Sequence, residues 1–82
     1  MIIGKVVGNV WATRKLEELN GLKFMIVKLP NGESIVACDA VGAGVGDRVL
    51  ISKGSAARQS FGFGDLPIDA SIIGIIDERE GE

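Results

Sequence analysis

Residues that could carry chemistry are concentrated between Gly42 and Arg58, in the stretch GAGVGDRVLISKGSAAR. Glycine-rich turns that are followed by a lysine and a serine are typical of loops that bind phosphate. A dinucleotide-binding loop needs Gly-x-Gly-x-x-Gly between a strand and a helix, whereas the glycines of Gly42–Gly46 alternate and precede a strand. A Walker loop needs glycine before lysine, whereas this chain reads Lys53–Ser55 in the order Lys-Gly-Ser. We therefore interpret the glycines as a turn between two strands.

The segment GSAAR allows two interpretations. A helical turn starting here, with Ser55 as its cap, would present free N–H groups, and Arg58 would add a planar set of donors, which together could bind an anion. Alternatively, the small side chains of Ala56 and Ala57 permit close backbone packing, and Arg58 pairs with a carboxylate, for which Asp69 is the expected partner. The packing role is the one we favour.

Catalysis and metal binding find little support in the sequence. The chain has no histidine and one cysteine, so the commonest acid–base group is missing and a zinc site cannot be assembled. Aspartates that could act as general acids or bases occur at expected strand ends and turns, without a partner nucleophile: Asp39, Asp47, Asp65, Asp69 and Asp77. Cys38 lies on an expected strand and is interpreted as a small core residue. We predict no enzymatic activity, no cofactor and no metal.

Composition also argues against a nucleic-acid-binding protein and against a membrane protein. The 82 residues form one domain, 1–82, and carry a net charge of −2, so the basic field that nucleic-acid binders show is missing. Trp11 could stack on a base, but with three phenylalanines as the only other aromatic residues we favour packing at an interface. The chain contains neither a run of about 18 apolar residues nor a secretory signal, which predicts a cytosolic protein without a membrane partner.

The first predicted strand carries an unusually apolar surface. Residues 2–14 alternate with period two, which indicates a strand, and the face that begins with Ile2 is small or apolar throughout, as a barrel interior requires. The opposite face carries Ile3, Val7 and Trp11, which need cover from elsewhere. With 46% apolar residues in so short a chain, we expect copies of the chain to provide that cover.

The remaining pattern predicts a small all-β barrel. An Asn-Gly turn at 30–32 joins two strands, and glycines bend the chain before the next strand. The expected fold is a five-stranded antiparallel OB-like barrel with one short helix between the fourth and fifth strands. Its later elements are strands 22–30, 33–40, 48–53 and 68–78, a helical turn at 54–60 and a frayed tail at 79–82.

Three segments resemble a known family in order and spacing: KVVGNVWATRK, DAVGAGVGDRVLISKGSAARQ and PIDASIIGIIDE. The family is EutN/CcmL, the pentameric vertex proteins of bacterial microcompartments such as carboxysomes and the ethanolamine and propanediol organelles. The resemblance covers Met1 to about Glu78.

The resemblance implies a homopentamer with a structural role and a location in the microcompartment shell within the cytoplasm. A flat layer of hexagonal tiles cannot close, and fivefold units at the vertices supply the curvature, so hexameric shell proteins are the implied partners. In the family, the region matching GSAAR lies at subunit contacts towards the centre of the ring, which here means Gly54, Ser55, Ala56, Ala57 and Arg58. From the residues alone, a small oligomeric OB-like module that binds an oxyanion or RNA stays open as the alternative.

Overall fold

The computed structural model describes residues 1–11, 19, 21–54 and 68–77. Within these residues, five strands close into a barrel in the order β1-β2-β3-β5-β4. The predicted all-β, five-stranded OB-like barrel is confirmed. The strands are β1 (Ile2–Asn9), β2 (Phe24–Lys28), β3 (Ser34–Asp39), β4 (Arg48–Lys53) and β5 (Ala70–Ile75).

One pair of neighbouring strands is parallel, whereas the sequence predicted an entirely antiparallel barrel. Four of the neighbouring pairs are antiparallel, and β3 pairs with β5 in parallel. A closed ring with an odd number of strands cannot alternate direction all the way round, so at least one pair must be parallel. The parallel pair is possible because the chain passes through β4 between β3 and β5, which supplies the crossover that parallel neighbours need.

Strand β1 has an inner and an outer face, as its period-two pattern predicts. Gly4 and Val6 are buried in the barrel, whereas Ile3 and Val7 are exposed. The strand ends at Asn9, so it is shorter than the predicted run to residue 14. The alternation, and not the length, was the reliable part of the pattern.

The two glycines of β1 have different roles. A Cβ atom at Gly4 would overlap Cγ1 of Val27 and lie 3.1 Å from the carbonyl oxygen of Lys28, so β1 and β2 approach too closely for any side chain. Gly8 has room for a Cβ atom, since its nearest neighbour would lie at 3.5 Å. The register between β1 and β2 shifts between Val6 and Gly8, which matches the bend expected from glycine in a barrel strand.

The predicted turn between β2 and β3 is confirmed. The N–H of Leu29 donates to the carbonyl of Glu33 at 2.8 Å, and the N–H of Gly32 donates to the carbonyl of Leu29 at 3.0 Å. Gly32 has a φ of 92°, a conformation that glycine adopts without strain. The side-chain amide of Asn31 donates to Glu33 at 2.6 Å, so the turn residues stabilise one another.

The core lies inside the barrel and receives side chains from every strand. Burying a large aliphatic side chain stabilises the fold by roughly 1.5–3 kcal/mol, so this set dominates the stability of a single chain. The buried apolar residues of the main cluster are Val6, Met25, Val27, Ala37, Ala43, Val49, Ile51, Ala70 and Ile72.

The connection between β4 and β5 leaves and re-enters the barrel at neighbouring points. The N–H of Gly54, whose φ is 70°, donates to the carbonyl of Asp69 at 2.8 Å. The helical turn predicted at 54–60 lies outside the described residues after Gly54, and so does the tail at 79–82. Within the described residues, the structure contains no helix with the length and apolar content needed to cross a bilayer.

Candidate functional site

The outer face of β1, and Trp11 two residues beyond its end, present apolar side chains to solvent. Trp11 is 89% exposed, Val7 46% and Ile3 40%. The strand pleat imposes this arrangement, because the alternate residues Gly4 and Val6 occupy the interior. These three residues, Ile3, Val7 and Trp11, are called the β1 outer face below. In a single chain they lack cover, as the sequence predicts.

Further exposed apolar side chains lie on strands that are not neighbours of β1. Val36 is on β3 and Ile75 is on β5, and both are exposed. Neither residue was predicted from the sequence, although Val36 lies between the more buried Ile35 and Ala37 of β3. A single barrel therefore exposes apolar side chains on more than one side.

A groove joins the β1 outer face to the loop between β3 and β4. It has a volume of about 510 Å³, and its walls include Trp11, Leu22, Phe24 and Val45. Val45, at the tip of the loop, is exposed. An apolar residue in a glycine-rich turn is the sequence signal for this exposed position, and it was not used in the predictions above.

The loop that carries Val45 is held by the carboxylate of Asp39. Oδ1 of Asp39 accepts the N–H groups of Val41 and Gly42, both at 3.0 Å, and Oδ2 accepts the N–H of Ala43 at 2.8 Å. The ammonium of Lys23 lies 3.5 Å from Oδ2 and donates to the carbonyl of Ala43 at 2.7 Å. The Asp39 side chain is 1% exposed, so the carboxylate is enclosed by its own loop.

The second half of the loop is held in the same way. Oδ2 of Asp47 accepts the N–H of Gly44 at 2.9 Å. Backbone bonds tie this end to β1, since Val6 donates to the carbonyl of Asp47 and Gly46 donates to the carbonyl of Val6, both at 2.9 Å. Gly46 has a φ of 97°, so the interpretation of these glycines as a turn is confirmed.

These contacts argue against phosphate binding by the glycine-rich loop between β3 and β4. The N–H groups of residues 41–43 are the donors that a phosphate loop would offer to its ligand. Here the Asp39 carboxylate already accepts all three. The same contacts make Asp39 a poor general base, because an enclosed carboxylate with its lone pairs engaged cannot reach a substrate.

Cys38 is a core residue, as expected. The thiol is buried, and it packs with Ile68 in a second cluster that includes Leu19, Leu22 and Phe24. Burial raises its pKa to about 11, and the neighbouring charge of Asp39 acts in the same direction. The thiol therefore stays protonated near neutral pH and is a weak nucleophile. Among the described residues, no group of three metal-binding side chains comes together.

The predicted contact region is only partly within the described residues. Gly54 is exposed at the end of β4, and Asp69 is exposed just before β5, linked to it through the backbone. Ser55, Ala56, Ala57 and Arg58 lie outside the described residues, and so does the predicted ion pair between Arg58 and Asp69.

Sequence and structure comparisons agree with one another. The sequence model described as "Ethanolamine utilisation protein EutN/carboxysome" matches residues 1–77. The chain is 44% identical to the bacterial microcompartment shell vertex protein GrpN of Rhodospirillum rubrum, over 98% of this chain and 97% of that protein. It is 43% identical to the carboxysome shell vertex protein CcmL of Synechocystis, over 94% of this chain and 83% of that protein.

Solved structures with the same barrel carry similar descriptions. The pentameric shell protein from the RMM microcompartment superposes with a TM-score of 0.88 at 44% identity, covering 96% of this chain and 93% of that one. The match of fold, sequence and chain length extends over nearly the whole molecule. The family and these relatives are structural shell proteins and not enzymes. The chain belongs to the EutN/CcmL family.

Proposed function

We propose that this chain forms homopentamers that cap the vertices of a bacterial microcompartment shell. Its role is structural, it has no catalytic activity, and its place is the shell itself. Relatives over nearly its full length are vertex proteins, and a superposable neighbour is pentameric. A fivefold unit at a vertex gives a layer of hexagonal tiles the curvature that it needs to close.

The observation that carries this function is the exposed apolar surface of the single barrel. A cyclic ring uses head-to-tail contacts, so each subunit needs two different contact surfaces. The β1 outer face supplies one, and the exposed apolar residues Val36 and Ile75 on β3 and β5 supply a candidate for the other. Burial in a ring removes a large apolar area from water, which offsets the small core of a chain this short.

The segment Gly54, Ser55, Ala56, Ala57 and Arg58 is proposed to lie at the subunit contacts around the centre of the ring, with Arg58 paired to Asp69. Support comes from the two ends of the β4–β5 connection, since the bond from the Gly54 N–H to the Asp69 carbonyl holds both residues on one side of the barrel, and Asp69 is exposed. The outer edge of the pentamer is proposed to contact hexameric shell proteins, without nucleic acid or membrane as partners.

Light scattering of the purified protein tests the ring. We expect five times the chain mass of 8.6 kDa, and smaller species for Trp11→Ser and Arg58→Ala. Glu33→Gln, an exposed change in the β2–β3 turn, is the control and should leave the mass unchanged. A wild-type protein that stays monomeric at micromolar concentration contradicts the proposal, and an unchanged mass for Arg58→Ala contradicts the role of that residue.

The alternative, an oxyanion- or RNA-binding module, is not favoured. The N–H groups of residues 41–43, one set of donors that an oxyanion could use, are bonded to Asp39, whereas the turn with Ser55 and Arg58 lies outside the described residues. Calorimetry with sulfate, phosphate and short oligonucleotides should therefore give no binding heat, and heat with any of them would revive this alternative.

A further inference from the structure

Two of the three asparagines in the chain, Asn20 and Asn31, directly precede a glycine. Asn31 lies in the turn between β2 and β3, and the structure describes it together with Gly32 and Glu33. An asparagine in such a pair can lose its side-chain amide without an enzyme, because the next backbone nitrogen can attack the side-chain carbonyl carbon. Glycine has no Cβ atom to obstruct that approach. The Asn31–Gly32 pair is therefore a candidate for spontaneous modification.

This reaction, a deamidation, consumes water and releases ammonia. The Gly32 nitrogen loses its proton to solvent base and bonds to Cγ of Asn31, while the bond from Cγ to Nδ2 breaks and ammonia leaves. Water then opens the five-membered imide at either carbonyl, which yields aspartate or isoaspartate at position 31. Asn31, Gly32 and Glu33 are exposed. Beyond the chain neighbours of Gly32, no described heavy atom lies within 4 Å of where its Cβ atom would be, so water and hydroxide reach the turn.

The folded turn holds both groups that must react. Nδ2 of Asn31 donates to Oε1 of Glu33 at 2.6 Å, and Oδ1 of Asn31 accepts the N–H of Glu33 at 3.0 Å. The side-chain amide is thus held towards residue 33. The attacking nitrogen is engaged as well, since the N–H of Gly32 donates to the carbonyl of Leu29 at 3.0 Å. The imide ring can close only after these bonds open.

We propose that Asn31 is a deamidation site whose rate in the folded protein is set by the Glu33 side chain. The bond from Nδ2 of Asn31 ends on the carboxylate of Glu33. The other two bonds are made by backbone N–H groups, which a substitution of the Glu33 side chain leaves in place. Glu33 is therefore a positioning residue, which keeps the Asn31 amide away from the Gly32 nitrogen.

Deamidation changes the turn that joins β2 to β3. An aspartate at residue 31 has no N–H to donate, so its carboxylate faces that of Glu33 where a hydrogen bond now joins the two side chains. It also adds one negative charge to a chain of net charge −2. Isoaspartate lengthens the backbone of the turn by one methylene group. Because turn geometry fixes the register of a hairpin, both products weaken the β2–β3 pairing. The inference concerns a single subunit and does not depend on the ring.

Peptide mapping by mass spectrometry of the full chain, after incubation in mildly alkaline buffer, tests the proposal. In denaturant, we expect Asn20 and Asn31 to deamidate at similar rates, because both precede glycine. In the folded protein, Asn31 should react more slowly than in denaturant. Glu33→Ala should raise the Asn31 rate in the folded protein by roughly two- to ten-fold, the effect of losing one ordinary hydrogen bond.

Two variants and one exchange measurement separate positioning of the amide from general loosening of the turn. Glu33→Gln keeps an oxygen that can accept from Nδ2 of Asn31, so its rate should stay close to that of the wild type. Ser34→Ala, an exposed change at the next residue, should leave the rate unchanged. The N–H of Leu29, which donates to the carbonyl of Glu33, should exchange with solvent equally fast in the wild type and in Glu33→Ala.

Four results would overturn the proposal. The first is a folded Asn31 that reacts as fast as in denaturant, and the second is a Glu33→Ala variant that reacts like the wild type. The third is a Glu33→Gln variant as fast as Glu33→Ala, since an acceptor oxygen would then give no protection. The fourth is exchange of the Leu29 N–H that accelerates as much as deamidation does, because the whole turn would then have opened.

Discussion

Replacing Asp39 with alanine tests whether one carboxylate holds the loop between β3 and β4. The change removes the carboxylate that accepts three backbone N–H groups and pairs with Lys23. The Ala43 bond is partly buried, whereas the bonds from Val41 and Gly42 are exposed, so water can replace the last two when the carboxylate is lost.

The expected loss in the free energy of unfolding follows from this difference in exposure between the three hydrogen bonds. A hydrogen bond to a charged group contributes about 1.5–3 kcal/mol when it is shielded, and ordinary bonds contribute about 0.5–1.5 kcal/mol. The Lys23 pair contributes well under 1 kcal/mol, because the lysine side chain is 50% exposed. We therefore expect Asp39→Ala to lower the free energy of unfolding by about 3 kcal/mol. Asp39→Asn, which keeps one acceptor oxygen, should lower it by about half as much.

Urea unfolding followed by circular dichroism measures this loss, at one fixed protein concentration because the stability of an oligomer depends on concentration. Asp47→Ala is the matched control, since Asp47 lies in the same loop and its carboxylate accepts one described bond, from Gly44. Its cost should be about 1 kcal/mol. If Asp39→Ala costs no more than Asp47→Ala, the carboxylate does not hold the loop and the reasoning is wrong.

Hydrogen exchange measures the effect of Asp39→Ala on the loop separately from its effect on the whole barrel. The N–H groups of Val41, Gly42 and Ala43 should exchange with solvent faster in Asp39→Ala, because their acceptor is gone. The Val6 N–H, which donates to the carbonyl of Asp47, should be less affected. Equal acceleration at all four positions would mean that the whole barrel had loosened and not the loop alone.

Two further predictions concern the barrel wall and the buried thiol. Gly4→Ala should destabilise the protein by about 1–3 kcal/mol, since its Cβ atom would overlap the buried Val27, whereas Gly8→Ala should be neutral or slightly stabilising. Equal unfolding midpoints in urea would contradict the close approach of β1 and β2. For Cys38, the folded pKa of about 11 lies above the ordinary thiol pKa of 9.0, so the thiol of the unfolded chain loses its proton first. The contribution to stability is complete below about pH 9 and is lost as the pH rises to about 11. Thiol reagents at pH 8 should label Cys38 in urea but not in buffer, and rapid labelling of the folded protein would contradict its burial.

Local patterns in the sequence determined the elements of the barrel. The period-two alternation of β1 predicted which residues face inwards, because successive side chains of a strand must point to opposite sides. The Asn-Gly turn and the glycines after β3 predicted where the chain reverses, since only glycine adopts a positive φ without strain. The spaced family segments predicted the structural role. Each of these signals is contained within a few neighbouring residues, or in their order along the chain.

Tertiary structure decided which residues meet across strands. Closing an odd number of strands requires a parallel pair, and the strand order of the barrel places it between β3 and β5, which no local pattern encodes. Lys23, directly before β2, reaches the carboxylate of Asp39 at the end of β3, and the strand register places Lys28 and Arg48 on either side of Lys5. The physical reason is that period and turn chemistry act along the chain, whereas register is set by the fit of the packed core. A shift of one residue would move Lys5 into the barrel and Val6 out of it.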